Sequence, residues 1–240
     1  ARGIEVARKA FYEERMSEAD AVATGLEALL VAYGDFETPP DSAKSPTRMA
    51  GALEFYFENY PLEGASAVPL TFPNGKLAIE FSFAEPLDIM HPVTGDPILY
   101  TGRCDMIADF CGGQYTVDEK TTSQLGASWP KQWEMRSQFT GYQWAANRAG
   151  LNVQGTLVRG VSILKTKYDH LQHITYRSPY EVDRWLDQTH RDIARAIEMW
   201  KDDYWDYSLD HACAEYGGCS MVNVCKSAEP EAWLPMYFEK

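Results

Sequence analysis

No stretch of about 18 apolar residues interrupts this chain, and no basic-then-apolar opening marks a signal peptide, so membrane-spanning and secretory readings fall away. A cytoplasmic protein, of a bacterium or a phage-infected host, is the expectation. Histidine is scarce and late: His91 is the first, and His91, His170, His173 and His190 show no ligand spacing with carboxylates. No cysteine precedes Cys104. Positive charge is outnumbered, 22 Lys and Arg against 35 Asp and Glu, and the net charge of −13 excludes a protein that coats nucleic acid by bulk basicity. Heptad runs, internal repeats and low-complexity segments are missing too. What remains is 240 residues, 45% hydrophobic and 24% charged, the balance of one elaborated globular domain. The chain opens on Ala1 inside a helical pattern, so an N-terminal piece is expected to be processed off or absent.

The hydrophobic period divides the chain into three parts. Residues 1–62 read as helical: Ile4, Phe11, Leu26, Leu29 and Leu30 fall at helical spacing, residues 37–46 break the pattern, and a second stretch from Arg48 to Tyr60 stops at Pro61. Residues 63–205 begin with alternation. Strands are expected over 78–83, 98–110 and 113–121, with Gly112-Gly113 turning the last two. A helix over 129–149 closed by Gly150, strands over 153–165 and 171–177, and a long helix over 179–205 follow. Residues 206–240 read as a loop-like tail that holds three of the five cysteines. This order of elements predicts an α/β domain, a central mixed sheet flanked by helices with N-terminal helices and a cysteine-bearing C-terminal tail.

The chemistry concentrates on two neighbouring strands. Asp105 stands among the apolar residues of Arg103-Cys104-Asp105-Met106-Ile107, and the next strand ends in Asp118-Glu119-Lys120. Alternation puts Asp118 and Lys120 on one face and turns Glu119 away. If the hairpin brings Asp105 near Asp118, two carboxylates and the backbone carbonyl of Glu119 form an all-oxygen set suited to Mg²⁺ or Mn²⁺. Lys120 then stands where it can hold an attacking water or offset phosphate charge, and beside carboxylates its charged form is favoured, which opposes a general-base role. Glu80, in an otherwise core-forming strand, is a third acidic candidate. Gln138 and Tyr142 are four apart on one helix face and can present hydrogen-bonding groups together. Each piece has a structural reading of its own: a solvated strand end, a salt bridge from Asp105 to Arg103 or Arg136, an ordinary helix face. The ordered set points to a metal site.

Gly102-Arg103-Cys104-Asp105, Val117-Asp118-Glu119-Lys120-Thr121-Thr122 and Gln138-x-x-x-Tyr142, in that order, resemble the PD-(D/E)xK nuclease superfamily, in its branch of RecB-like and CRISPR-associated exonucleases with many phage relatives. The resemblance covers residues 78–225 and implies a restriction-endonuclease-like core. It implies that Asp105 and Asp118 are metal ligands, Lys120 the catalytic lysine, Glu80 an accessory acid, and Gln138 with Tyr142 the helix motif. The branch often carries a histidine in its first helix after a glycine; here Gly3 is followed by Ile4, Glu5, Val6 and Ala7. The activity implied is a Mg²⁺- or Mn²⁺-dependent DNA exonuclease of recombination, repair, phage or CRISPR DNA processing, acting on single strands or duplex ends beside recombination or CRISPR-adaptation proteins. A non-catalytic nuclease-fold module that binds DNA ends or a partner is the alternative, and a hydrolase of another phosphate ester a third reading.

A polyanion has one basic stretch to follow. Residues 120–177 hold Lys120, Lys131, Arg136, Arg148, Arg159, Lys165, Lys167 and Arg177 against Glu134 and Asp169, so this segment is +6 and the remainder −19. Arg136, Lys165 and Lys167 are the expected nucleic-acid contacts. Trp129, Trp133, Tyr142 and Trp144 lie in the same segment, either as stacking platforms for bases or as core. Cys213, Cys219 and Cys225, spaced around Gly217-Gly218, suit a soft-ligand site that pins the tail. The resembled branch would place a [4Fe–4S] cluster there; zinc and unligated thiols are the other readings, and a fourth ligand lies before Ala1, is replaced by His211, or is lost. Cys104 and Cys111 read as strand packing.

Overall fold

The computed structural model describes residues 2–39, 42–207, 211–214 and 218–237. Two compact units divide the chain, Ala1–Gln188 and Thr189–Lys240. The first opens with helices α1 (Arg2–Tyr12), α2 (Glu18–Tyr33) and α3 (Pro46–Asn59). Ser17 caps α2 by accepting from the Asp20 N–H, and Ser45 caps α3 by accepting from the Arg48 N–H, with Pro46 in the first turn where no donor is needed. Helices α1 and α2 meet on small residues. A Cβ on Gly25 would stand 2.5 Å from the Gly3 carbonyl oxygen and 2.9 Å from the Ala7 Cβ, so only glycine allows this approach.

Six strands follow: β1 (Ala67–Pro69), β2 (Ile79–Met90), β3 (Pro97–Phe110), β4 (Gly113–Thr122), β5 (Val153–Ile163) and β6 (Tyr168–Tyr176). They form one curled sheet in the order β1-β3-β4-β5-β6, and β1 and β2 share one edge of the long β3. The β3–β4 turn is Cys111-Gly112, both at positive φ (49° and 81°), as a two-residue hairpin demands, so Cys111 is an exposed turn residue and not strand packing. Strand β2 runs past the expected end at Phe83 to Met90. Its Pro86 is tolerated because an edge strand has unpaired donors to spare.

Strands β4 and β5 pair in parallel through a crossover that holds a 3-10 turn (Pro130–Trp133) and helix α4 (Ser137–Arg148). The continuous helix expected over 129–149 is thus two pieces. The buried Arg177 guanidinium explains the break, because its Nη2 donates to the carbonyls of Trp133 (2.7 Å) and Arg136 (3.4 Å). One apolar cluster joins Ala7, Ala10, Ala21, Leu53, Tyr56 and Phe57 of the helices to Val161 and Ile163 of β5, so β5 is covered on that face by the N-terminal helices. Gly160, one residue out of step, faces Trp129.

Helix α5 (Pro179–Lys201) contains the division between the units. Beyond it the second unit has helices α6 (His211–Ala214) and α7 (Val222–Lys226), a 3-10 turn (Pro230–Ala232) and α8 (Leu234–Tyr237), where the sequence reads as loop. No described helix is long and apolar enough to cross a membrane.

Candidate active site

Strands β3 and β4 pair from Phe110↔Gly113 to Met106↔Val117 and then part. Asp105 and Asp118 are the first residues beyond the last pair. In the opening, Asp105 Oδ2 accepts from the Glu119 N–H at 3.1 Å, across to the other strand. Asp118 is buried, and its Oδ2 lies 2.6 Å from Lys120 Nζ, so the two share a face as alternation requires. Lys120 itself keeps partial exposure and stands 5.8 Å from the centre of the Phe139 ring of α4. Glu119 turns to the opposite face, where it pairs with Arg8 of α1 and accepts from the Tyr56 hydroxyl of α3 at 3.0 Å.

Burial sets the electrostatics of this opening. Desolvation, then the charge of Glu119, pushes the Asp105 carboxyl up to about 8. Desolvation also raises Asp118, against the pull of Lys120. Glu119 goes the other way, down to about 2: burial alone would raise it, but Arg8 and the hydrogen bond with Asp105 outweigh that cost. Both adjoining carboxyls are thus raised chiefly because burial penalises their charged forms. With a backbone carbonyl they make an oxygen donor set, and the residues fit a hard divalent cation.

Glu80 sits across β3 from Asp105, between the pairs Ile79↔Met106 and Phe81↔Cys104. Its φ of 52° is a left-handed conformation that a strand residue rarely adopts, and such strain collects at functional positions. Its carboxylate is bound to Arg103 Nε at 2.9 Å and so is not gathered with Asp105 and Asp118. The salt bridge weighed for Arg103 therefore goes to Glu80. Desolvation, then the nearby charge of Glu5, raises Glu80. Glu5 and Arg8 of α1 are the residues that sequence reasoning missed. A signal existed for Arg8, which falls on the apolar stripe of Ile4, Ala7 and Phe11 where a charge has no solvent to meet.

On α4, Gln138 Nε2 donates to the Tyr142 hydroxyl at 2.8 Å, and that hydroxyl donates to the Arg103 carbonyl at 2.8 Å. The pair thus grips the strand two residues before Asp105. Arg136 is exposed just ahead of α4, close enough that its charge acts on Asp118. Lys165 and Lys167 are exposed in the β5–β6 turn, at the sheet end where β4 finishes opposite Ser162. Two other members of the basic stretch, Arg159 and Arg177, are buried and cannot meet a polyanion. Trp129, Trp133 and Trp144 are buried as well, so they are core and not stacking platforms.

The family model of the PD-(D/E)XK nuclease superfamily matches residues 5–226. The chain belongs to the PD-(D/E)XK nuclease superfamily. Its curled mixed sheet with flanking helices is the restriction-endonuclease-like core of that superfamily, whose members are generally metal-dependent nucleases. No curated protein matches the chain. Among solved structures, the crystal structure of SSO0001 is similar over 79% of this chain and 71% of its own, at 12% identity and a TM-score of 0.33, which is too slight to carry an argument.

In the described part of its tail, this PD-(D/E)XK chain shows no support for the soft-metal site expected. Among the described residues no three His, Cys, Asp or Glu side chains converge as a metal site. The Cys219 N–H donates to the Cys213 carbonyl at 3.0 Å, and Gly218 stands at φ 101°. Cys213 is half-buried, Cys219 and Cys225 are exposed, and the His211 side chain lies outside the described residues. Cys104 is buried in β3 as packing, and burial pushes its thiol up.

Proposed function

We propose that this chain is a Mg²⁺- or Mn²⁺-dependent deoxyribonuclease of the RecB-like branch, an exonuclease that hydrolyses phosphodiester bonds at DNA ends in recombination, repair, or phage or CRISPR DNA processing. The observation that carries this reading is the meeting of Asp105, Asp118 and Lys120 where β3 and β4 part, in a chain of a nuclease superfamily. Asp105, Asp118 and the Glu119 carbonyl would hold the cation. When bound, such an ion supplies a water of lowered pKa and polarises the scissile phosphate. Lys120, paired with Asp118, acts by placing the attacking water and offsetting charge on the phosphate oxygens. Gln138 and Tyr142 hold the Arg103 carbonyl and with it the approach of β3, while Glu80 restrains Arg103. Arg136, Lys165 and Lys167 would take the DNA backbone.

End-labelled linear and circular DNAs, incubated with the protein with and without Mg²⁺ or Mn²⁺, test the reading. Cation-dependent release of label from the linear DNA, with circles left intact and no release by Asp118→Asn, is the expected result. Binding of ends with no cleavage under either cation would replace it by the non-catalytic end-binding module. Cutting of circles would keep the nuclease and remove the exonuclease.

A further inference from the structure

Glu119 is a charge in a place built for an apolar side chain. Strand β4 pairs with β5 at Glu119↔Arg159, and the Glu119 side chain goes beneath α1 and α3. There it forms an ion pair with Arg8, the two side chains only 8% and 4% exposed. Arg8 Nη2 also donates to the Tyr56 hydroxyl oxygen at 2.9 Å, and Arg159 Nη1 donates to the same oxygen at 3.3 Å. Arg159 Nε donates in turn to Gln172 Oε1 of β6 at 3.1 Å. Five elements, α1, α3, β4, β5 and β6, thus meet around one carboxylate.

Stability does not require this arrangement. Desolvating an ion pair costs about what its attraction returns, and well-packed apolar residues of the same volume hold layers together as well or better. Arg8 Nη2, shared between the Glu119 carboxylate and the Tyr56 hydroxyl, adds direction, because these polar contacts fix one orientation where apolar contact tolerates several. Direction matters at Glu119. Past Val117, β4 has no ladder partner in β3 and is held by β5 on one edge alone. Rotation of β4 about its own axis would swing Asp118 and Lys120 together, and the buried Glu119 side chain is the lever on the far face that stops it. Its backbone N–H meanwhile holds Asp105 Oδ2. Every candidate ligand is therefore bonded to, or one residue from, the position that Arg8 pins.

We propose that Arg8 and Tyr56 are positioning residues for the divalent-cation site, acting through Glu119 to set the directions of Asp105, Asp118 and Lys120. This rests on reading Asp105 and Asp118 as cation ligands. A structural ion pair would matter only for folding; a positioning one matters for cation affinity in molecules that are fully folded.

The test compares Arg8→Met/Glu119→Met, which removes both charges, with Tyr56→Phe and Arg8→Lys, in the full chain. Mn²⁺ affinity is read by electron paramagnetic resonance and folding by thermal unfolding. The double variant should unfold near the wild-type temperature yet bind Mn²⁺ on the order of tenfold more weakly, the size of effect that removing a ligand's supporting contacts has in metal sites. Its kcat should fall with KM for DNA unchanged. Tyr56→Phe and Arg8→Lys should move Mn²⁺ affinity a few-fold the same way, since one loses the hydroxyl that links Glu119 to Arg8 and the other keeps the charge on a shorter, non-planar group; they carry the test if the double variant does not fold. Wild-type Mn²⁺ affinity in the folded network variants, beside a loss in Asp118→Asn, overturns the positioning role alone. Wild-type affinity in Asp118→Asn overturns the ligand reading and the positioning role with it.

Discussion

Asp105 shows how burial changes an ordinary carboxyl, and what that would do to cation binding if it is a ligand. Its ordinary value of 3.8 is pushed up to about 8 by desolvation and by the charge of Glu119. The fold therefore favours the protonated acid, and the stability this contributes is complete below about pH 4, the unfolded value, and is lost as pH rises toward 8. Metal-free protein should accordingly melt at progressively lower temperature across that window. A divalent cation takes the proton's place, so Mn²⁺ affinity should climb over the same range and level off above about pH 8, with proton release visible by calorimetry in buffers of different ionisation enthalpy. Affinity that stays constant from about pH 5 to 8 would show that Asp105 is no ligand. Lys120 makes a different demand. Lys120→Ala should leave cation binding near wild type and lower kcat on the order of 10²- to 10³-fold, the cost of removing one aimed electrostatic group, whereas Asp118→Asn should lose both; single-turnover cleavage and cation titration separate the two.

The elements that carry these residues are legible to different depths. Alternation in 113–121 and 98–110 specifies β3 and β4 closely, and places Asp118 and Lys120 on one face with Glu119 on the other, because the period of a strand is local. Strand β1 is too short to have a period, and α4 reads too long because the interruption at Glu134–Arg136 answers to Arg177, 41 residues beyond Arg136, which no window of sequence could include. The α1–α2 crossing belongs to the same class. Gly3, Ala7, Ala21 and Gly25 are unremarkable small residues until the helices touch. Gly25→Ala should then cost about 1–3 kcal/mol, because the new methyl has backbone at 2.5 Å and no flexible side chain to displace. Urea unfolding measures it, and a neutral or stabilising result would mean that the helices can slide apart at no cost.

Taken whole, the molecule carries a net charge of −13 that is segregated along the chain, as the proposed polyanionic substrate would require. Arg136, Lys165 and Lys167 are exposed, whereas Arg159 and Arg177 of the same stretch are committed to the core. Reversing Arg136, Lys165 and Lys167 to Glu should weaken DNA binding and flatten its dependence on salt by about one unit of slope for each phosphate that is no longer neutralised, while reversals of exposed acidic residues in α5 should leave that slope alone. Equal effects from both sets, read by fluorescence anisotropy from low to moderate salt, would put the DNA elsewhere. The order of elements, the faces of β4 and the superfamily motif are written in local residue patterns, which is why reading along the chain recovers them. Whether a charge meets solvent or a partner is not local. Packing alone buried three tryptophans, took Arg159 and Arg177 from the basic face, left the tail cysteines unconverged, strained Glu80 opposite Asp105, and brought Arg8 to Glu119 across 111 residues, because each outcome depends on what lies on the other side of a contact between distant segments.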